Sequence, residues 1–416
     1  MTPHRILIVG TADTKADELL FMRHCIESAG GHAAIMDVGI LGSPTFEPTI
    51  SRHEVARAAG TTIADIAAIG DENLAMTKMA EGAVQVVLTS YARGEIHGIL
   101  ALGGTMGTDL ALDITAALPL GMPKCIVSTV AFSHLIAPER LAPDLMMILW
   151  AGGLYGLNSI CKSILSQAAG AVLGACNTVT PRSSARPRVA ISSLGKSCVD
   201  YMVRLTPALI ARGYEPVVFH CTGMGGRAME ALIERGEFVA VFDFLVQEVS
   251  NEKHGSVVTA GASRMEAAGK HGVPQLVAPG CADMIDVQAW KPLPALLEGR
   301  PYHAHNRLIG SVNTTVEERC AIARELASKL SRAKGPTAFL LPQQGLHAWD
   351  RAGQPMHDPA GQAAFAAELR ACMPKNVQLH DLDLHICDDA FAAAALTIFD
   401  QWVTQGVIPA AGTYSR

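Results

Sequence analysis

The sequence lacks clustered cysteines, which excludes the commonest cysteine-rich sites. Its ten cysteines are scattered singly and form no C-x-x-C pair, which argues against a structural zinc site. Four of them lie on apolar segments and are predicted to be small buried side chains in a reducing compartment: Cys25, Cys125, Cys161 and Cys176. A G-x-S-x-G elbow, an H-E-x-x-H helix and a kinase signature are also missing, so no familiar catalytic motif names a reaction.

The sequence also has no run of basic residues and no long apolar segment. The net charge is −6, so nucleic acid and anionic membrane surfaces are not expected as main partners. The apolar start of the chain leads directly into a glycine loop, and later apolar stretches such as 144–157 are shorter than the ~20 residues of a membrane span. We therefore expect a cytoplasmic protein with neither signal peptide nor transmembrane helix.

Apolar residues are plentiful, at 49% against 17% charged residues, so the chain has enough of them for a large buried interior. Its 416 residues suit two domains better than one. Residues 177–188 are polar and contain two prolines, which is typical of a linker. The sequence thus predicts an N-terminal domain over 1–180 and a second domain over 186–416.

Buried strands and helices alternate along both halves. Strands are predicted at 5–10, 32–39, 96–102, 124–130, 188–193, 215–220, 238–243, 255–260, 274–278, 336–341 and 377–384. Helices are predicted at 15–29, 51–60, 71–92, 107–117, 157–176, 198–212, 226–235, 316–333, 360–372 and 389–404. This order predicts an α/β protein with two Rossmann-like, doubly wound domains and mainly parallel sheets, in which ligands bind at the carboxyl ends of the strands.

The first glycine loop, residues 10–15, follows the first strand and opens a helix, a place where free N–H groups attract phosphate. Gly10 begins it, Thr11 and Thr14 offer hydroxyls, and Lys15 offers a cation. Asp13 is a candidate Mg²⁺ ligand or helix N-cap. A plain capped helix is the alternative.

The second loop contains Gly103, Gly104, Thr105, Gly107 and Thr108, again between a buried strand and a helix. Dense glycines let the backbone approach an anion closely, although a tight turn is the alternative. It is not a dinucleotide G-x-G-x-x-G, and no acidic residue follows a later strand in the way that motif requires. A rival at 190–197 resembles a Walker A box but has Ala190 where the first glycine belongs.

The second half gathers polar residues on strand-end loops, and His220, Arg227, Arg264 and His305 are predicted to form a substrate pocket. Alternation over 377–385 also places three possible metal ligands on one strand face, with a polar strand edge as the alternative: Asp381, Asp383 and His385.

In this order the loops resemble the Tm-1-like ATP-binding (UPF0261) family over nearly the whole chain. The likeness rests on motifs at 10–15, 103–108, 118–124, 127–131, 220–230, 272–275, 279–280, 305–306, 341–342, 345, 350 and 358–359. It implies two Rossmann-like subdomains, a homodimer, and ATP with Mg²⁺ on the first subdomain. The residues it points to are those of the two glycine loops together with Ser128 and Thr129.

The chain departs from the family pattern mainly in the second half. Asn313 stands where relatives usually have Arg, His347 where they usually have Ser, and Cys387 where they usually have Asn. These departures predict either an altered substrate or a divergent subgroup of the family.

The leading functional hypothesis is an ATP-dependent enzyme, a phosphoryl transferase or ligase, that acts on a small acidic metabolite. One alternative is a non-catalytic nucleotide-binding dimer that recognises a partner. The other is a metal-dependent lyase or isomerase with a phosphorylated substrate on the glycine loops.

Overall fold

The computed structural model describes residues 3–180, 186–196 and 198–413. Its contacts divide the chain after residue 182 into two compact domains, each of which is described by itself. Residues 181–185 of the predicted linker and Ser197 of the Walker-like segment lie outside the described residues.

The first domain is a five-stranded sheet covered by helices on both faces. Its elements in chain order are β1 (Arg5–Gly10), α1 (Ala16–Ser28), β2 (His32–Asp37), α2 (Arg52–Ala58), α3 (Ile63–Ala67), α4 (Glu72–Ala92), β3 (Gly98–Gly103), α5 (Thr105–Ala117), β4 (Lys124–Ser128), β5 (Met146–Leu149) and α6 (Ser159–Thr178). The strand order is β2-β1-β3-β4-β5, and every pair is parallel.

The two-residue period of the strands builds a separate core on each face of this sheet. Leu7 and Val9 of β1 pack in one core with α2 to α5, whereas Ile6 and Ile8 pack in the other with α1 and α6. Because both faces are covered, β1, β3 and β4 are apolar without alternation, as the sequence predicts.

The second domain has a six-stranded sheet of the same kind. Its elements are β6 (Arg188–Ser193), α7 (Met202–Ala211), β7 (Glu215–His220), α8 (Met224–Glu234), β8 (Ala240–Leu245), α9 (Gln247–Lys253), α10 (Ala267–His271), β9 (Gln275–Gly280), β10 (Met284–Gln288), β11 (Tyr302–Ala304), β12 (Ile309–Asn313), α11 (Val316–Ser331), β13 (Thr337–Pro342), α12 (Pro359–Cys372), β14 (Val377–Leu382) and α13 (Asp389–Thr404). The order β14-β13-β9-β8-β6-β7 is again parallel throughout.

The α/β class and the parallel sheets agree with the prediction, but several local predictions are wrong. Residues 255–260 form a loop rather than a strand, held by Asn251 Nδ2, which donates to Val258 O at 2.7 Å, and by Ser256 Oγ, which donates to Asp286 O at 2.6 Å. Ser256 Oγ also accepts from Val258 N at 3.1 Å, and side chains that bond nearby backbone in this way compete with a sheet ladder. β10, β11 and β12 form a small antiparallel sheet that the sequence analysis does not predict.

Helix α6 is the one helix, within the described ranges, that is long and apolar enough to span a membrane. This corrects the expectation that no segment reaches that length. Leu165, Ala169 and Val172 of α6 pack in the core of the first domain against β3 and β4. The helix is therefore apolar because one face is buried in protein.

The close crossing of α2 and α4 gives a test of this packing. A Cβ added to Gly82 of α4 would overlap Val55 O of α2, so Gly82→Ala should lower the free energy of unfolding by about 1–3 kcal/mol, the usual cost of overpacking. Gly170→Ala is the matched control, because at that position in α6 none of the described atoms lies within 4 Å of the added Cβ. It should leave stability unchanged or raise it by up to about 1 kcal/mol, since alanine is the better helix former. Urea unfolding followed by circular dichroism measures both, and a Gly82→Ala variant as stable as the wild type would contradict the crossing.

Candidate functional site

The predicted nucleotide loops meet at one edge of the first sheet. β1 lies between β2 and β3, so the strand order reverses there and opens a crevice at the carboxyl ends, the place where doubly wound sheets bind ligands. Loop 10–15 leaves from β1 and loop 103–108 from the adjacent β3. The strands that lead into them are neighbours: Val9 of β1 pairs with Ala101 of β3, and a Cβ on Gly10 would lie 3.5 Å from Leu102 O. Gly103 in turn pairs with Ser128 at the end of β4.

The helices that start at this crevice are capped differently from their neighbours. α2, α3, α4 and α6 each begin at a side chain that accepts from their own first turn: Ser51, Thr62, Asp71 and Asn158. α1 and α5 begin at Lys15 and Gly104 with no such side-chain acceptor. The first-turn N–H groups at the crevice therefore lack the side-chain oxygen that most helices of this domain supply.

Gly104 leaves open space beside the start of α5. Among the residues that the structure describes, the nearest atom to a Cβ built on Gly104 is Thr129 Oγ1, at 3.8 Å. Thr105 beside it is exposed, and Gly107 and Thr129 are half-buried. The backbone here is thus accessible to an anion, and a side chain at position 104 would occupy that space.

Two predicted binding residues serve the scaffold instead. Thr108 Oγ1 and Ser128 Oγ are 2.7 Å apart, both side chains are buried, and Ser128 Oγ accepts from Val130 N at 3.0 Å. Buried hydroxyls that bond each other are not available to a ligand from solvent. The prediction is therefore corrected for Thr108 and Ser128, which join the α5 turn to the end of β4.

Asp13 lies in the crevice, and only one of its two carboxylate oxygens accepts a hydrogen bond in the described structure. Its Oδ2 accepts from Gly42 N at 2.7 Å, while the buried Oδ1 has no hydrogen-bond partner in the described part of the chain. Thr11 Oγ1 and Thr14 Oγ1 bond each other at 2.8 Å. Buried polar atoms in folded proteins are nearly always paired, so an unpaired carboxylate oxygen beside a predicted Mg²⁺ position suits a cation.

Asp37 is a second carboxylate that the sequence analysis does not predict at this site. It is the last residue of β2, the strand next to β1 in the sheet. Its Oδ1 accepts from Ala12 N and Gly39 N, each at 2.9 Å, so it holds the first glycine loop. A Cβ on Gly39 would lie 2.9 Å from Asp13 Oδ1 and 3.1 Å from Asp37 Oδ1; the two carboxylates thus flank one point.

The electrostatics of Asp37 favour a neighbouring cation. Burial raises the pKa of its carboxyl, the amides of Ala12 and Gly39 lower it, and the charge of Asp13 raises it further. Its Oδ2 is buried and, like Asp13 Oδ1, is unbonded within the described residues. A divalent cation would relieve the repulsion between the two carboxylates.

Lys15 points toward another segment. Its Nζ donates to Leu154 O at 2.5 Å and lies 4.9 Å from the centre of the Tyr155 ring. Tyr155 is 94% exposed, so this contact lies at the surface. Lys15 therefore has to exchange the Leu154 carbonyl for a phosphate oxygen if it is to bind one.

In the second domain the structure places Arg264 in the interior. Its side chain is fully buried, and its partners are Glu248 Oε2 at 2.7 Å, Glu230 Oε1 at 3.2 Å, Asp243 Oδ2 at 2.5 Å, Asp243 Oδ1 at 2.7 Å and Leu245 O at 3.0 Å. A guanidinium has five N–H donors, and all of them are used. Arg264 cannot receive a substrate from solvent, which corrects its predicted catalytic role.

The glycine-rich start of α8 is also occupied from within. Glu248 Oε1 accepts from Gly223 N at 2.6 Å and Gly226 N at 3.2 Å. Burial raises the pKa of the Glu248 carboxyl, and Arg264 opposes that shift. The anion at this helix start is thus a carboxylate of the protein itself.

The other predicted pocket residues are spread over the second domain. His220 is exposed at the end of the edge strand β7, and the Arg227 guanidinium lies near Gly261, where a Cβ would be 3.3 Å from its Nη1. His305 is exposed, with its ring centre 5.7 Å from that of Trp349. These positions give no support to the predicted common pocket.

For residues 377–385 the structure favours the polar strand edge over the metal site. β14 ends at Leu382; Asp381 pairs with Arg370 at 2.8 Å, and Asp383 Oδ1 accepts from Gln344 Nε2 at 3.0 Å. His385 lies beyond the strand and is buried, with Nε2 2.8 Å from Asp350 Oδ1. The strand ends before the alternation can place the three side chains together.

Comparison with known proteins gives matches along almost the entire chain. Residues 4–181 match the model described as "Uncharacterised protein family (UPF0261) N-terminal domain", and residues 186–403 match the model of its C-terminal domain. A UPF0261 protein of Brucella melitensis is 54% identical over 98% of this chain and 99% of its own length. One from Clostridium tetani is 34% identical over 94% and 96%.

A plant protein matches over part of its length. The ToMV resistance protein Tm-1 of Solanum lycopersicum is 29% identical over 95% of this chain, which spans 55% of the tomato protein. Among solved structures, MurG of Acinetobacter baumannii is 11% identical and covers 96% of this chain and 99% of its own, with a TM-score of 0.20. That score is too low to support an argument.

The buried network around Arg264 gives a stability test. Arg264→Met leaves Glu230, Asp243 and Glu248 without their cation, so the free energy of unfolding should fall by about 3–5 kcal/mol, the usual cost of breaking a buried ion pair. Arg212→Met is the matched control, because the Arg212 pair with Asp400 lies at the surface and should contribute at most about 1 kcal/mol. Urea unfolding measures both, and equal effects would contradict the buried network.

Proposed function

The chain belongs to the UPF0261 family, and we propose that its first domain binds ATP with Mg²⁺ at the carboxyl edge of β1 and β3. The observation that carries the proposal is the pair of helix starts, α1 and α5, that meet at the strand-order reversal without a side-chain cap. Two such starts on adjacent loops offer amide donors and positive dipole ends to one polyphosphate.

The open backbone at Gly104 supports the same reading. Phosphate oxygens need close approach to amide groups, and Gly104 leaves the turn without a side chain on its open side, while Gly107 lets α5 start close to the backbone of β3. Thr105, Thr129, Thr11 and Thr14 supply hydroxyls around the turn.

Asp13 and Asp37 are the groups that would hold the magnesium ion. Each has a buried oxygen without a hydrogen-bond partner in the portion that the structure describes, and hard carboxylate oxygens are the ligands that Mg²⁺ prefers. A bound Mg²⁺ would supply charge neutralisation between the carboxylates and the phosphates.

An ATP-dependent reaction on a small acidic metabolite, by phosphoryl transfer or ligation, is our proposal for the activity. Of the four second-domain residues predicted to hold the substrate, Arg227, His220 and His305 have access to solvent, whereas Arg264 is excluded by its burial. ATP consumption in the presence of a panel of carboxylic and sugar acids tests for turnover. Tight ATP binding with no turnover would favour the non-catalytic alternative. The homodimer and the cytoplasmic location are part of the same proposal.

Removing the space at Gly104 should abolish nucleotide binding. Gly104→Val places a branched side chain where a phosphate oxygen has to approach the α5 amides, so calorimetric titration with ATP and Mg²⁺ should show no binding. Gly170→Val, an exposed glycine on α6 with open space around it in the described structure, should bind as the wild type does. Unchanged affinity in Gly104→Val would refute the proposed site.

Lys15→Ala should weaken ATP binding without removing it. A charge-assisted hydrogen bond contributes about 1–3 kcal/mol, and the value should fall toward the lower end because Lys15 gives up the Leu154 carbonyl when it binds phosphate. The same titration measures it. Affinity equal to that of the wild type would mean that Lys15 stays with Leu154 and Tyr155.

A further inference from the structure

The second domain contains a buried cluster of three potential metal ligands that the sequence does not predict as a group. Asp283 follows β9, and His347 and Asp350 lie in the loop between β13 and α12. One donor atom from each lies within 4.8 Å of the other two. All three side chains are buried, so two loops at the carboxyl edge of the parallel sheet deliver them to one point.

Several atoms of the cluster are unsatisfied. Asp283 Oδ1 and both ring nitrogens of His347 are buried without a hydrogen-bond partner among the residues described. His347 Nε2 faces Asp283 Oδ2 at 3.4 Å. An imidazole with neither nitrogen hydrogen-bonded is costly in a protein interior, and coordination of a cation would satisfy it.

Asp350 is oriented by groups around it. Its Oδ2 accepts from Leu346 N at 2.5 Å, and its Oδ1 is 2.8 Å from His385 Nε2. His385 Nδ1 accepts from Cys387 N at 3.0 Å, so the ring proton is on Nε2 and is donated to Asp350. Hydrogen bonds of this kind to a ligating carboxylate are typical of the surroundings of a metal ion.

The buried charge of the site favours a cation. Asp283 and Asp350 carry two buried negative charges against one positive charge on Arg319, which pairs with Asp283 at 3.7 Å and with the partly exposed Asp358 at 3.0 Å. With a neutral His347 the buried groups carry an excess of one negative charge, which either a proton on His347 or a metal ion has to compensate.

The cluster also has access to solvent. Asp283, Asp350 and Arg319 line a cavity of about 280 Å³, and the buried Arg319 Nε has no hydrogen-bond partner in the described chain. Three protein ligands beside such a cavity leave coordination positions for water or for a small oxyanion, as in catalytic metal sites.

From this geometry we propose that Asp283, His347 and Asp350 bind one divalent transition-metal ion, Mn²⁺ or Zn²⁺ in class, beside this cavity. The nitrogen ligand favours such an ion over Ca²⁺ or Mg²⁺, which prefer oxygen ligands alone. The site is independent of the nucleotide site proposed for the first domain.

An ion pair between His347 and Asp283 is the alternative to metal binding by these two residues. Burial lowers the pKa of His347, but the Asp283 carboxylate more than offsets this and raises it to about 9. In the absence of metal, His347 is therefore protonated against Asp283, and a bound ion replaces that proton.

Metal titration of the full-length, untagged protein without nucleotide tests the proposal. After treatment with a chelator and dialysis, calorimetry with Mn²⁺ and with Zn²⁺ should show one strong site per chain. His347→Gln and Asp283→Asn should each weaken it roughly 100-fold or more, since each removes a ligand. Asp383→Asn is the matched control, because Asp383 is exposed and bonds only Gln344 in the described structure; it should bind as the wild type does.

The opposite outcomes overturn the proposal. They are the absence of a saturable site in the wild type, equal affinity in His347→Gln and Asp283→Asn, or loss of the site in Asp13→Asn, which would assign the ion to the first domain. Far-ultraviolet circular dichroism shows whether each variant is folded. If His347→Gln and Asp283→Asn do not fold, the proposal is tested by the number of ions bound per wild-type chain and by whether Asp13→Asn still binds the ion.

Discussion

The parallel arrangement of both central sheets is the constraint on which the rest of the structure depends. In a parallel sheet all carboxyl ends lie at one edge, so loops distant in sequence meet there. In the first domain this brings loop 10–15 beside loop 103–108. In the second it brings Asp283 beside His347 and Asp350. The burial of the central strands on both faces also explains the short continuous apolar runs by which the sequence predicts them.

The glycine loops of this protein differ in whether a buried carboxylate of the protein already occupies their backbone amides. At the start of α8 the carboxylate of Glu248 fills the amide site and is held in turn by Arg264. At the start of α5 the space beside Gly104 is open. The two loops look alike in sequence, yet only the loop at the start of α5 leaves room for an anion from solution. A glycine-rich strand-to-helix turn is therefore open to an anion only where no carboxylate of the protein already occupies the amides of its helix start.

The two candidate sites differ in chemistry as well as in place. The first is built mainly from backbone amides, which suit phosphate, with Asp13 and Asp37 beside them. The second is built from an imidazole and carboxylates around Arg319. His347 is one of the departures from the family resemblance, and the structure places it in the interior beside Asp283. A substitution that appears to be a local change in a loop thus alters a buried charged cluster.

Local patterns in the sequence were sufficient to predict the bounds of several strands and helices. β1, β6 and β7 have the predicted bounds, and α13 spans the predicted 389–404, because their periodicity and end signals lie within a few residues. The sequence does not predict β10, β11 and β12, because such short antiparallel strands have too few residues to show a two-residue alternation of polar and apolar side chains. Residues 255–260 read as a strand because their apolar composition does not reveal the side chains that bond their backbone.

The sequence alone determined the α/β class, the parallel sheets and the position of the two glycine loops at strand ends, since each is a property of neighbouring residues. Only the tertiary structure decided which charged residues face solvent. It placed Arg264, Thr108 and Ser128 in the interior, put Asp37 beside Asp13, and joined His347 to a residue 64 positions earlier, Asp283. Burial and pairing depend on contacts between distant segments, and no local pattern encodes them.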